Sequence, residues 1–194
     1  MTITLATRPT IVDRVFPRSL ATDIALIALG AAATAVSAQL VIPASPVPFT
    51  FQTMAVLLVG ATLGSVRGAL SMLLYLAVGI LGVPVFSDAR HGIEVVFGAT
   101  GGFLLGFVAA AAVIGALAER KWSSHVVKMF ASYVISTVVV YAFGIPVLGA
   151  VAFSGDLSAA ASLMSNYLIW DALKAIAAAL ILPIAWKGVQ AIRR

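Results

Sequence analysis

Six apolar runs separated by short polar connections organise this chain, at residues 24–42, 51–63, 69–81, 100–118, 126–150 and 159–186. A helix needs about 20 predominantly apolar residues to cross a hydrocarbon core of roughly 30 Å. Inside that core every backbone N–H and C=O must be satisfied within the protein, which favours helices. The pattern therefore predicts helices throughout: an all-α integral membrane protein with six transmembrane helices. It forms a single membrane domain over residues 1–194, with an N-terminal tail of about 20 residues. The second and third runs are short for a full crossing, so the flanking stretches 46–50 and 82–86 are expected to dip into the protein as ligand-contacting loops. No loop is long enough for a second folded domain, and no internal repeat is evident.

Charge adds a direction to this pattern. Arg8, Arg14 and Arg18 precede the first run, Arg67 sits in the second connection, and Arg120, Lys121 and Lys128 flank the fourth. Lys187, Arg193 and Arg194 close the chain, whereas the alternate loops hold Arg90 beside Asp88, Glu94 and Asp156. The positive-inside bias then predicts cytoplasmic termini, an even number of spans, and loops 43–50, 82–99 and 151–158 on the outside. A cleavable signal peptide ending at Ala35-Val36-Ser37-Ala38 is the rival reading of the first run. The run continues through Val41 and Ile42, and cleavage would leave an odd number of spans.

Composition agrees with a lipid setting. Hydrophobic residues make up 62% and charged residues 10%, with a mean hydropathy of +1.11. Soluble domains carry roughly 25% charged residues, so this chain lacks the means to coat a water-facing surface. The net charge of +5 lies in clusters between apolar runs rather than on one face, which argues against nucleic acid. With no Cys, and with only His91 and His125, neither a disulfide, a thiolate nucleophile nor a histidine-built metal site is expected. G-x-x-x-x-G-K-[ST], H-E-x-x-H and G-x-S-x-G are all missing, so ATP use and hydrolase chemistry are not expected of this chain. The expectation is no enzyme, no cofactor and no metal.

Asp171 and Lys174 stand out, three residues apart inside the last apolar run. At that spacing they share a helix face. Ionisable groups within a span are costly and usually face a partner, a cavity or a substrate; the alternative is an ion pair that packs the bundle.

Several stretches together resemble the BioY family, the biotin-specific substrate-binding components of energy-coupling factor (ECF) transporters. They are Pro46-Val47-Pro48-Phe49-Thr50-Phe51-Gln52-Thr53, continuing through Gly64, Arg67-Gly68-Ala69-Leu70 and Tyr75, and then Gly82-Val83-Pro84-Val85-Phe86. Gly98-Ala99-Thr100-Gly101-Gly102-Phe103-Leu104-Leu105-Gly106-Phe107 and Asp171-Ala172-Leu173-Lys174-Ala175 complete the set. Any one motif is weak, whereas the ordered set is specific. Trp170 departs from the pattern, since many relatives carry a Gly there. The resemblance implies a six-helix fold in the cell membrane that captures biotin from outside. Handover would be to an ECF transmembrane coupling subunit with paired ABC ATPases. Other small vitamins on the same fold, a structural subunit without ligand, and an intramembrane enzyme are the rival functions.

Biotin presents a ureido head, an apolar thiophane ring and a carboxylate tail, so its site needs an acceptor, a donor, apolar walls and a cationic or strongly donating group. Asp171 is expected to accept from a ureido N–H and Lys174 to donate to a ligand oxygen. Gly98, Gly101 and Gly102 would admit a ligand, or simply another helix, close to the backbone where Thr100 offers a hydroxyl or an N-cap. Thr50 and Gln52 belong to a lid stiffened by Pro46 and Pro48, or to a plain interhelical turn. Phe86, Tyr75 and Tyr167 are candidate walls, and Arg90 could meet the carboxylate or pair with Asp88 and Glu94 at the surface. Small residues repeat on the first helix as Ala21 with Ala25, Ala28 with Ala32 and Ala31 with Ala35. The resemblance makes these rows a docking surface for the coupling subunit, with internal packing the alternative.

Overall fold

Ser19 opens the first long helix, its Oγ accepting from the Thr22 backbone N–H at 3.2 Å and so satisfying a donor that the helix end leaves over. The computed structural model describes residues 10–17 and 19–192, with side chains to residue 189. Arg8, Arg18, Arg193 and Arg194 of the basic clusters lie outside the described residues. Among the described residues the α-helices are α1 (Leu20–Ala38), α2 (Gln52–Leu63), α3 (Ser65–Ile80), α4 (Ile93–Val96), α5 (Gly101–Glu119), α6 (Val126–Ala152), α7 (Leu157–Ser165) and α8 (Leu168–Ile192). Of these, α1, α5, α6 and residues 168–189 of α8 are long and apolar enough to cross a membrane, while α2 and α3 are apolar but shorter.

Two stretches depart from helices throughout. Val41–Ile42 (β1) and Phe49–Thr50 (β2) pair antiparallel, with Val41 opposite Thr50. The first run therefore leaves its helix before residue 42, and Pro43, Pro46 and Pro48 between the strands have no N–H to offer a helix. The run 159–186 is likewise not one helix, because the chain turns at Asn166 and Tyr167 between α7 and α8. Contacts made by Tyr167 at this turn, described below, outweigh the helical preference of the run. Asp156 starts α7, its Oδ1 accepting from the backbone N–H groups of Ser158 at 2.9 Å and Ala159 at 3.0 Å. The Ser158 hydroxyl and these amides hold the Asp156 carboxyl below the usual carboxylate range.

The central helix is α5, which packs on α6, α3 and α2. In its apolar window 61% of residues are buried, against 28% to 33% in the other three long helices. Its approach to α6 requires Gly102, where an added Cβ would lie 2.4 Å from the Phe143 carbonyl oxygen. Close packing through glycine is how helices gain van der Waals contact when lipid removes the hydrophobic drive between them.

At the end of the bundle away from the hairpin, Arg67 is 1% exposed. Its guanidinium pairs with Asp13 at 2.8 Å and Asp23 at 2.5 Å, the partners a buried cation requires. The 3-10 turn Val12–Arg14 brings Asp13 there. Burial raises the Asp13 carboxyl, but hydrogen bonds from Thr10 and Arg67 together outweigh it and hold the group below its usual value. Arg14 lies over the Trp186 ring, 5.4 Å from its centroid.

Candidate functional site

The β1–β2 hairpin, the start of α2, the α3–α4 loop and the facing sides of α5, α6 and α8 enclose a cavity of about 630 Å³, its open side included. One side is polar and centred on α8. Lys174 Nζ lies 3.3 Å from Asp171 Oδ1 and donates to Thr53 Oγ1 at 3.3 Å. The Tyr141 hydroxyl on α6 donates to Asp171 Oδ2 at 2.5 Å. Both carboxylate oxygens are thus held by protein donors, and the ammonium is aimed by two oxygens. Remaining lone pairs on the carboxylate accept, and the third ammonium proton donates, from one short stretch of wall.

The α3–α4 loop supplies a second polar group. Arg90 donates through Nε to the Ser87 carbonyl at 3.1 Å and through a terminal nitrogen to the Ser87 hydroxyl at 3.0 Å. Asp88 and Ala89 have positive φ, 60° and 54°, and this tight turn folds Arg90 back over Ser87. Gln39, just past α1, holds the loop from outside: its Nε2 donates to the carbonyls of Val85 at 3.2 Å and Phe86 at 3.0 Å, and its Oε1 accepts from Ala89 N–H at 3.1 Å. Val95, Phe103, Leu104, Phe107, Val140 and Met164 supply apolar wall between the polar groups.

The hairpin closes the remaining side through Val47, Pro48 and Thr50. Phe49 stacks on Tyr167, with ring centroids 4.0 Å apart and planes 14° apart, and the Tyr167 hydroxyl donates to the Val47 carbonyl. Trp170 meets Phe49 edge-on at 6.2 Å. The turn between α7 and α8 therefore clasps the hairpin with aromatic rings.

The family model for BioY matches residues 7–191. The biotin transporter BioY of Thermotoga maritima is 40% identical over 151 residues, covering 75% of this chain and 85% of that one. The biotin transporter BioY of Rhizobium etli is 37% identical over 143 residues, 70% of this chain and 76% of its own.

The chain belongs to the BioY family.

A crystal structure of the S-component for biotin from an ECF-type ABC transporter shares its fold, with a TM-score of 0.77 and 21% identity over 86% of this chain and 92% of that one. As a BioY family member with several membrane-length helices, the chain is a multi-pass membrane protein, in a family whose named relatives are transporters.

Of the residues read from the sequence, Thr50, Gln52, Phe86, Arg90, Thr100, Tyr167, Asp171 and Lys174 line this cavity. Tyr75 does not line it. Its hydroxyl accepts from Gln52 Nε2 at 2.7 Å and donates to the Val85 carbonyl at 3.2 Å, so it braces Gln52 and the loop from behind. Gly98, Gly101 and Gly102 are not in the lining either. A Cβ on Gly101 would fall 1.7 Å from the Val96 carbonyl oxygen, so this glycine and Gly102 serve close chain and helix packing. Thr100 occupies the N-cap position of α5 without a side-chain cap bond, which leaves its hydroxyl for the cavity. Arg90 is held by Ser87, and among the described residues it forms no ion pair with Asp88 or Glu94.

On α1, Ala21, Ala25, Ala28 and Ala32 form an exposed stripe and Ala35 is half-buried. Ala31 is instead buried, on the face with Gly30, Thr34 and Ala38 that packs into the bundle. It belongs to the interior rather than to a docking surface. Tyr141, Thr53, Ser87 and Gln39 are the polar residues that sequence reasoning missed. Thr53 lay inside the quoted loop motif, and Tyr141 was marked only by being a hydroxyl-bearing ring in the middle of a long apolar run.

Proposed function

We propose that the chain captures biotin in this cavity and serves as the substrate-specific component of an ECF-type transporter, performing no covalent chemistry. The observation that carries the reading is the ammonium–carboxylate pair of Lys174 and Asp171 in the wall of a partly open cavity of a BioY family member. Asp171 and Lys174 meet the ureido head, apolar wall from α5 and α6 covers the thiophane ring, and Arg90 takes the carboxylate. In this reading α1, α2, α3, α5, α6 and α8 cross the bilayer, both termini are cytoplasmic, and the cavity opens outside. The exposed stripe of Ala21, Ala25, Ala28 and Ala32 docks the coupling subunit, whose ATPases drive transport.

The test is calorimetric titration of the purified protein with biotin, beside Asp171→Asn and Lys174→Ala. Wild type is expected to bind one biotin. Truncating one partner of a buried charge pair costs about 2–5 kcal/mol, roughly 30-fold or more in affinity. Unchanged affinity in both variants would move the site away from α8, and a folded wild type that ignores biotin would overturn the assignment.

A further inference from the structure

Behind the cavity wall lies a second concavity, a groove of about 1,010 Å³ with its open side included, between the hairpin, the start of α2 and α8. Thr50 and Lys174 line both spaces. Among the described residues the rest of the groove is apolar apart from the Trp170 indole N–H, its other walls including Leu40, Ile42, Phe51, Met54 and Leu173. Past Leu40, Phe51 and Met54 it continues into a shallower trough between α1 and α2. Leu40, Ile42, Phe51 and Leu173 are each more than half exposed.

We propose that this groove is a lipid acyl-chain site, in which one tail of a membrane phospholipid packs behind the hairpin and completes the wall of the cargo cavity. The groove is continuous with the bilayer-facing surface, because Leu173 joins the exposed row of Ile176, Leu180 and Ile184 along α8. A partner helix is disfavoured as occupant: helices pack in membranes through small residues that let backbones approach. Apart from Ala177 the walls of the groove itself are large side chains; the small residues Ala33, Ser37 and Ala55 line only the adjoining trough. A tail in the groove would cover Thr50 and the stem of Lys174 from outside. It would exclude water from behind the ammonium and strengthen its interaction with Asp171, since attraction between charges rises as the local dielectric falls. Lipid and cargo binding are then coupled, and equilibrium coupling is reciprocal.

Trp170, which lines the groove, reports on it directly. Its fluorescence is obtained as the difference between wild type and Trp170→Phe in delipidated, detergent-purified protein. This signal is followed while phosphatidylcholine brominated at mid-chain is added. The expected result is saturable quenching at about one lipid per chain, abolished by Ala177→Phe, which fills the groove, and by Leu173→Gln, which makes its wall polar. Quenching that rises without saturation, or that persists in both variants, overturns the site. So does a lipid-free dimer that either variant splits, because the groove would then seat a second copy. A second arm rests on the biotin reading: lipid should tighten biotin binding about fivefold in wild type and leave Ala177→Phe unchanged, and equal affinity with and without lipid overturns the coupling. Quenching needs no biotin, so saturable quenching in a protein that ignores biotin would sink the functional reading and leave the groove standing.

Discussion

Tyr141 holds one carboxylate oxygen of Asp171 at 2.5 Å while Lys174 faces the other at 3.3 Å, so the acceptor at this site is aimed by two helices. A hydrogen bond to a charged group contributes about 1.5–3 kcal/mol. Tyr141→Phe removes only the hydroxyl and leaves a buried carboxylate oxygen without its donor, so it is expected to lower Tm by a few degrees and, by freeing the carboxylate to turn, to weaken biotin binding severalfold by calorimetry. A variant that binds as tightly as wild type would reduce Tyr141 to a packing residue. The charged pair was legible in the sequence because ionisable side chains in an apolar run are costly and rarely idle. Tyr141 was not, because a tyrosine in a membrane helix reads equally well as core or interfacial belt. The glycines left two readings open for a related reason: a chain that brings helices close uses the same residue as one that brings a ligand close, and only neighbouring atoms distinguish them.

At the level of elements, apolar runs located most of the helices, yet two boundaries were hidden. The turn at Asn166 and Tyr167 carries neither glycine nor proline, and its cause lies 120 residues away in sequence, in the hydrogen bond from Tyr167 to Val47. The hairpin was hidden by the apolar character of Val41 and Ile42, which continue the first run without a break in hydropathy. Whether six elements cross is open to a direct test, because the chain has no Cys. Single cysteines at Ala44, His91, His125 and Ser154 fall in four different connections. With six crossings and cytoplasmic termini, an impermeant thiol reagent added to intact cells should label Ala44→Cys, His91→Cys and Ser154→Cys but not His125→Cys. Labelling of all four, or of His125→Cys alone, would refute the topology.

Across the whole molecule, α1 joins the exposed alanine stripe at its start to Gln39 just past its end, which holds the loop bordering the cavity. At 1.5 Å per residue the 19 residues of α1 span about 28 Å. Ala28→Trp on the stripe is expected to reduce co-purification of a coupling subunit while isolated biotin binding stays the same; undiminished recovery would place docking elsewhere. Beyond the far end of the same helix, Gln39 grips Val85, Phe86 and Ala89 through a single amide. On the proposed topology the amide is a tether between a rod and a latch: a displacement of α1 imposed by docking at the alanine stripe would pull on the loop that carries Phe86 and Arg90. Gln39→Ala slackens that tether, so biotin should leave the free protein several-fold faster in a stopped-flow chase, and docking should no longer alter the release rate. If the variant still released cargo faster when docked, the force would travel by another route through the bundle.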